Sequence, residues 1–443
     1  MPRIVVVSPP FASHARPLAS LAAALRQAGA DVHFACGPEF EPLARQSGTR
    51  FEELVVTRNA NTGVAESTVQ SSQEATRLSA FLEATRRGAV SALITQAAHR
   101  REDMLPDPEA VLAAMRTLHR RVRADWYVVD QLSYAVTLAL HCLQLPYATL
   151  CPGHPSYVLG AEDAYFGMPH AWPSRMRPAP RELAALHTWV KDNDQAFTRA
   201  FAAVARTAAP AAPPPGRAFA LTSPHAVVYS YPQLPWLPTR PRGRAHFFAG
   251  HMVGPQHPLP ATWAHRVTQL RGCTRRLVLV ALGTFLSARD DVLRTVARSI
   301  LRAFDDVGVI MAAGNRTDVL ADLAGERCLI SPEVPQQALL EHMDAMVHHG
   351  GANSFTECMR AGVPAVVLPF SSDQFSVAAD AERAGVGVAL DPNALTEDAV
   401  PHALQMLWSG GRRPLDVVSS AAMRQRGPSW AAARLLGAMN RVA

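Results

Sequence analysis

The chain has 443 residues, more than the roughly 250–300 at which a single hydrophobic core stops growing, so we expect two domains. Hydrophobic residues make up 48% and charged residues 18% of the sequence, which is the composition of a soluble globular protein and excludes a largely disordered one. The net charge of +6 comes from arginines spread along the chain, without a dense basic run interleaved with aromatics, so nucleic acid is not an expected partner.

Strands and helices are predicted to alternate in the first half of the chain. Apolar runs and breakers predict a strand at 4–8, a helix at 17–28 that Gly29 ends, and strands at 32–36 and 126–129. The first run is too short for the core of a signal peptide and has no cleavage-like site after it, so we expect no targeting segment. Residues 60–124 are predicted to be mostly helical, and residues 152–180 form a loop rich in Pro, Gly, His and aromatics.

A proline-rich stretch after Gly254 marks the predicted domain boundary, which gives domains at 1–255 and 256–425. Further strands are predicted at 226–229, 277–281, 309–312 and 365–368, and another ends at Val347. Helical patterns separate them, as parallel strands require, so the predicted fold class is α/β with two doubly wound parallel sheets. No apolar run approaches 18 residues, so we expect no membrane span.

The segment 347–357 has the features of an anion-binding site. Gly350 and Gly351 follow the predicted strand and let the backbone approach a ligand closely, and Asn353-Ser354 open a predicted helix. The first turn of a helix has N–H groups without partners and a partial positive charge, which suits a diphosphate. Glu357, one turn further on, suits the vicinal hydroxyls of a ribose. The other interpretation is a Gly-Gly turn followed by a Ser-x-x-Glu capping box.

With the residues that follow, this segment resembles the donor-binding signature of the UDP-glycosyltransferase superfamily. In that signature His-x-Gly-x-Asn-Ser-x-x-Glu precedes Gly-Val-Pro and then an acidic residue and Gln, and this chain keeps the spacing. The resemblance implies the GT-B fold, in which two Rossmann-like domains face a central cleft, and a tail at 426–443 that crosses back to the first domain. By position it implies contacts to the phosphates from His349, Gly351, Asn353 and Ser354, to the ribose from Glu357, and to the transferred sugar from Asp373 and Gln374.

Two weaker elements precede this signature. Thr284 follows a predicted strand end in a segment that resembles the Ser-Leu-Gly-Thr element of bacterial members, which implies a phosphate contact, although a Gly-Thr pair is also ordinary turn chemistry. Val334-Pro335-Gln336 resembles the end of the Trp-x-Pro-Gln element, which implies that Val334 and Gln336 read the base and ribose. Glu333 stands where the stacking Trp would be, and a carboxylate cannot stack on uracil.

The catalytic base is expected in the first domain. Residues 11–17 resemble the Gly-His-x-x-Pro loop of the superfamily, with Ser13 in place of Gly, and His14 falls on the catalytic histidine. An imidazole with an ordinary pKa near 6.5 can take a proton from an attacking hydroxyl, and it needs an acceptor to hold its tautomer. Asp130, at the end of a predicted buried strand, is the candidate acceptor. The alternatives are local capping by His14 and capping by Asp130 of a helix that begins near Ser133.

The expected activity is therefore inverting hexosyl transfer, with glucose as the favoured sugar, from a UDP-sugar co-substrate to a hydroxylated small-molecule natural product. No His, Cys and carboxylate cluster stands out, so we expect no metal and no cofactor. The loop 152–180 is a candidate acceptor-binding region. We expect a cytoplasmic monomer or homodimer that functions in antibiotic or other natural-product biosynthesis. The alternatives are a nucleotide-sugar epimerase or hydrolase on the same fold, and a non-catalytic auxiliary subunit.

Overall fold

The computed structural model describes residues 1–57, 72–211, 213, 216–255, 257–410 and 415–441, and it contains two parallel β-sheets. The first sheet has the order β3-β2-β1-β4-β5-β6-β7. Its strands are Arg3–Val7 (β1), Asp31–Cys36 (β2), Arg50–Glu53 (β3), Trp126–Asp130 (β4), Tyr147–Cys151 (β5), Ala226–Tyr229 (β6) and Ala245–Phe248 (β7). The second has the order β10-β9-β8-β11-β12-β13 and comprises Arg276–Ala281 (β8), Val307–Ala312 (β9), Cys328–Ser331 (β10), Ala345–His348 (β11), Ala365–Val367 (β12) and Gly387–Ala389 (β13).

Helices connect these strands. Those before the second sheet are Ala12–Gln27 (α1), Glu41–Gln46 (α2), Ser72–Arg87 (α3), Ala89–Asp103 (α4), Pro108–Val122 (α5), Tyr134–Leu143 (α6), Pro180–Ala208 (α7) and Ala261–Cys273 (α8). The remainder are Gly283–Leu286 (α9), Asp290–Ala303 (α10), Gln336–Leu340 (α11), Ala352–Ala361 (α12), Gln374–Arg383 (α13), Ala399–Trp408 (α14), Ser420–Arg424 (α15) and Pro428–Met439 (α16). None of the helices in the described ranges is long and apolar enough to cross a membrane.

The central strands of each sheet form because their sequences are almost continuously apolar. Residues 4–7 of β1 and residues 277–280 of β8 are fully buried, as expected of strands that have helices on both faces. Each sheet reverses its strand order once, between β1 and β4 in the first sheet and between β8 and β11 in the second. Ligands of open α/β sheets bind at the carboxyl ends of the strands at such a point. The predicted α/β class with two doubly wound sheets is confirmed.

The C-terminal helix belongs to the packing of the first domain. Ala431, Ala432 and Leu435 of α16 are buried in the same core cluster as Leu18 and Leu21 of α1. The chain therefore passes through the second sheet and returns to the first.

Two features of the fold differ from the sequence prediction. Helix α1 begins at Ala12 rather than at 17, because Pro17 lies inside the helix instead of at its start. Strands β3, β5, β7, β10 and β13 were not predicted, and four of these five have only three or four residues. The region 60–124 contributes α3, α4 and α5, in agreement with the predicted helical content, and its residues 60–71 lie outside the described ranges.

Candidate active site

A cleft of about 1690 Å³ lies between the two domains. Pockets for one small ligand usually measure roughly 300–1,000 Å³, so this cleft has room for two substrates at once. Each of the residues predicted for catalysis or donor binding lines it, with the exception of Asp130, which lies behind His14. They follow the four strands at the two switch points: His14 after β1, Asp130 at the end of β4, Thr284 after β8 and His349 after β11.

His14 and Asp130 form a hydrogen-bonded pair. The Nδ1 atom of His14 lies 2.9 Å from Oδ2 of Asp130, whose side chain is fully buried, whereas the His14 side chain is 19% exposed toward the cleft. The other carboxylate oxygen of Asp130 accepts a bond from the backbone N–H of Leu132 at 2.8 Å, which fixes the carboxylate. A carboxylate accepts, so Nδ1 of His14 carries the proton, and Nε2 has the free lone pair that a proton acceptor needs. Neither residue caps a helix, since α6 begins after Ser133 and α1 after Phe11.

The His14 turn also contacts the opposite domain. Pro17 has no N–H, so within α1 it cannot donate to the carbonyl of Ser13, four residues earlier. That carbonyl accepts instead from the side-chain amide of Asn353 at 2.8 Å. Asn353 was predicted to face the phosphates, and in the structure its amide nitrogen donates to the turn that carries His14 in the other domain.

His349 lies in a crevice made by two glycines. A Cβ atom on Gly283 or on Gly351 would come within 2.6 Å of the imidazole ring, and Gly283 has a left-handed φ of +77° that favours glycine. Burial lowers the pKa of His349 to about 4, and nearby Asp373 opposes this shift only in part. The ring is therefore neutral near pH 7 and offers one N–H to a ligand.

Helix α12 begins beside His349. Its N-cap is Gly351, which makes no side-chain capping bond, and Ser354 is the third helical residue. The capping-box interpretation of Ser354 and Glu357 therefore does not hold, since Ser354 is not at the cap. The first-turn residues of α12 line the cleft, which therefore receives the partial positive charge of a helix N-terminus.

Glu357 is held by two glutamines of α11. Its Oε2 accepts from Nε2 of Gln336 at 2.6 Å, and its Oε1 accepts from Nε2 of Gln337 at 2.9 Å. Burial raises the pKa of Glu357, and the two amide donors counteract the shift. Gln336 also contacts Ser354 at 3.2 Å, so its side chain organises the Glu357 site.

The segment Val334-Pro335-Gln336, which was predicted to read the base and ribose, is bent by Pro335. The backbone N–H of Gln336 donates to the carbonyl of Val334 at 2.8 Å, and the φ and ψ of Pro335 are −75° and 70°, which defines an inverse γ-turn. The carbonyl oxygen of Val334 is therefore already hydrogen-bonded within this turn. Glu333, immediately before it, is exposed and lines the cleft, as does Thr284 on the short helix α9.

Asp373 and Gln374 stand at the start of α13. Oδ2 of Asp373 accepts from the backbone N–H of His154 in the first domain at 2.8 Å. The side-chain oxygen of Gln374 accepts from the backbone N–H groups of Phe370 and Ser371 at 2.8 and 3.1 Å, so only its amide nitrogen is left to meet a ligand. Of the two predicted sugar contacts, Asp373 contributes an acceptor and Gln374 a donor.

Several cleft residues escaped the sequence analysis. Arg100 of α4 donates to the hydroxyl of Ser372 at 3.1 Å and to that of Tyr157 at 3.3 Å, beside Asp373. The loop 152–180, predicted to bind the acceptor, reaches the cleft only at Pro152, Gly153 and Tyr157, and much of its remainder packs along α13. No local sequence pattern connects α4 or this loop with the second domain, because these contacts join positions more than 200 residues apart.

Comparisons with known proteins agree with this architecture. The glycotransferase of kitacinnamycin superposes with a TM-score of 0.69 at 19% identity and 99% coverage of both chains. VinC in complex with dTDP gives a TM-score of 0.61 at 18% identity, covering 99% of this chain and all of that one. At these identities the likeness concerns the fold, and it is the GT-B arrangement of glycosyltransferases.

The family model of UDP-glucoronosyl and UDP-glucosyl transferase matches residues 184–412, more than half of the chain, so the protein belongs to this family, as the sequence predicted. The NDP-glycosyltransferase YjiC of Bacillus subtilis is 34% identical over 139 residues, 30% of this chain and 34% of its own length. The sterol 3-beta-glucosyltransferase of Penicillium rubens is 34% identical over 140 residues, 30% of this chain and 10% of that enzyme. The matched segments thus cover about a third of the length of YjiC and a tenth of the length of the sterol glucosyltransferase.

Proposed function

We propose that the protein is an inverting glycosyltransferase that moves a hexose, with glucose favoured, from a UDP-sugar to a hydroxyl of a small-molecule natural product. The observation that carries this proposal is the arrangement of the cleft. The His14–Asp130 pair faces it from one domain, and His349 with the N-terminus of α12 faces it from the other. The base and the leaving-group site thus stand on opposite walls of one space.

The chemistry is a single displacement. Nε2 of His14 takes the proton of the acceptor hydroxyl as its oxygen bonds to the anomeric carbon, and the bond from that carbon to the diphosphate oxygen breaks. Asp130 stabilises the imidazolium that forms, and solvent then removes the proton. Attack opposite to the leaving group converts an α-linked donor into a β-glycoside.

The departing diphosphate gains negative charge, and the chain provides fixed groups to stabilise it. The neutral imidazole of His349 donates one hydrogen bond, and the first turn of α12 contributes backbone N–H groups and the helix dipole. Preorganised donors of this kind lower the barrier without reorganising during the reaction. Metal independence is part of the proposal and rests on these groups. Among the described residues, no group of three His, Cys, Asp or Glu side chains is placed to hold an ion.

The acceptor side of the cleft favours an apolar molecule that carries hydroxyls. Its walls include apolar side chains of α3, α4 and α6 and their flanks, namely Leu78, Phe81, Met104, Leu132 and Val136. Arg77 and Asp103 also line the cleft, but they form an ion pair with each other, with Nη1 of Arg77 2.9 Å from Oδ1 of Asp103. Because their charges cancel, this pair does not favour a charged acceptor. The named relatives that act on sterols and natural products have acceptors of this general kind.

The direct test is product formation from defined donors. The purified protein is incubated with UDP-glucose or dTDP-glucose and a panel of phenols, macrolides and sterols, and products are detected by mass spectrometry. We expect a hexosyl adduct whose anomeric proton shows the β configuration by NMR. An α-glycoside would contradict the single displacement. Release of free glucose at the same rate with and without an acceptor would show that the enzyme hydrolyses the donor, and it would refute the proposed transfer.

A further inference from the structure

A buried carboxylate joins the two domains behind the cleft. Asp380 is fully buried on α13, about two helical turns beyond Asp373. Its Oδ2 accepts from Nε2 of His154 at 3.0 Å and from the hydroxyl of Tyr231 at 2.9 Å, and its Oδ1 accepts from Nε1 of Trp236 at 2.7 Å. The three donors belong to the first domain, and Asp380 belongs to the second.

The imidazole of His154 is fixed in one tautomer. Its Nδ1 accepts from the backbone N–H of Ser156 at 3.1 Å, so Nε2 carries the proton that is donated to Asp380. A buried carboxylate is costly unless donors surround it, and here three neutral donors do so. Asp380 therefore holds the side chain of His154 in one orientation.

His154 contacts two carboxylates, Asp380 of α13 and Asp373 at the N-cap of that helix. Its ring binds Asp380, and its backbone N–H donates to Oδ2 of Asp373 at 2.8 Å. The side-chain hydrogen bonds of Asp373 among the described residues use only Oδ2, and Asp373 lines the cleft, so Oδ1 is the oxygen available to a ligand. The position of Oδ1 is consequently set by His154, and the position of His154 by Asp380.

We propose that Asp380 is a positioning residue for donor-sugar recognition, which acts through His154 to aim the free oxygen of Asp373 at a hydroxyl of the transferred sugar. This inference rests on the proposed function, because it takes Asp373 as a sugar contact. It assigns to Asp380, His154, Tyr231 and Trp236 a selective effect on the sugar part of the donor. The nucleotide part, bound by α12 and α11, is expected to be unaffected.

The test measures the affinity of UDP and of UDP-glucose by calorimetry for the wild type, Asp373→Asn, Asp380→Asn and the double variant. Asp380→Asn replaces one carboxylate oxygen by an amide N–H that faces donors of the first domain, so His154 is no longer held in place. We therefore expect UDP-glucose to bind about 10-fold more weakly, while the Kd for UDP changes less than about twofold. The double variant should bind UDP-glucose as Asp373→Asn does, because both changes remove one interaction. Glu382→Gln, which alters another carboxylate of α13 that bonds Ser174 in the first domain, is the matched control and should change neither affinity.

The possible failures are distinguishable. If Asp373→Asn leaves UDP-glucose affinity unchanged, the sugar contact itself is wrong, and the present inference falls with it. If Asp373→Asn weakens UDP-glucose but Asp380→Asn does not, or if the two effects add in the double variant, only the positioning role is overturned. Should Asp380→Asn fail to fold, Tyr231→Phe and Trp236→Phe each remove one donor from the same carboxylate, and unchanged UDP-glucose affinity in both would refute the proposal.

Discussion

Glu357 is expected to select UDP-sugars over dTDP-sugars. An ionised carboxylate offers about four lone-pair sites, and Gln336 and Gln337 occupy one on each oxygen. One site on each oxygen is thus left for the two hydroxyls of a ribose. A deoxyribose lacks one of these hydroxyls, and a hydrogen bond to a charged group contributes about 1.5–3 kcal/mol, so we predict a preference of about 10–100-fold for UDP.

The assay compares kcat/KM for UDP-glucose and dTDP-glucose on one acceptor. In Glu357→Gln the charge is lost and an amide faces the two glutamine amides, so we expect the preference to fall to about threefold or less. Glu39→Gln is the matched control, because it removes an exposed carboxylate that lines the same cleft from the first domain, away from the residues predicted to contact the nucleotide, and it should leave the ratio unchanged. A wild-type kcat/KM for dTDP-glucose equal to or above that for UDP-glucose would refute this role of Glu357.

Three further outcomes are expected. Asp130→Asn should lower kcat by less than His14→Ala does, because the base itself is retained, with an unchanged Kd for UDP, which steady-state kinetics and calorimetry check. EDTA should leave the rate unchanged, and loss of activity that Mg²⁺ restores would contradict this. Burial lowers the pKa of His251 to about 4 and of His348 to about 3, below the unfolded 6.5, so stability should rise with pH through about 4–6.5. At pH 5 each of these histidines is protonated in the unfolded chain but not in the folded protein, which lowers the free energy of unfolding by about 2 kcal/mol per histidine. Equal urea midpoints at pH 5 and pH 7 would contradict this prediction.

The sequence identifies the parts of the site that lie close together along the chain. Residues 347–357 combine a strand end, two glycines and a helix start, which are local features with direct physical meaning. The contact between His14 and Asp130 is also predictable, although 116 residues separate them, because each follows the carboxyl end of one of two neighbouring strands. Once the fold class is known, positions that are distant in the sequence can thus be predicted to lie close together in space.

Other parts of the site have no such signal. In the sequence, Asp380 has the spacing of an ordinary polar residue on a helix, and only its three partners at 154, 231 and 236 explain its burial. Arg100 lies in a helical region without a motif, and its partner Ser372 is 272 residues away. The start of α1 was misplaced for a different reason. Proline favours the first turn of a helix, but Pro17 is in the interior, where the carbonyl it leaves free accepts from Asn353.

The most direct measurement for the account as a whole is the rate of His14→Ala with saturating UDP-glucose and acceptor, together with its affinity for UDP. His14 is predicted to move a proton and to make no contact with the nucleotide, so kcat should fall at least about 100-fold while the Kd for UDP changes less than about twofold. A variant that keeps more than about a tenth of the wild-type rate would contradict the assignment of His14 as the base.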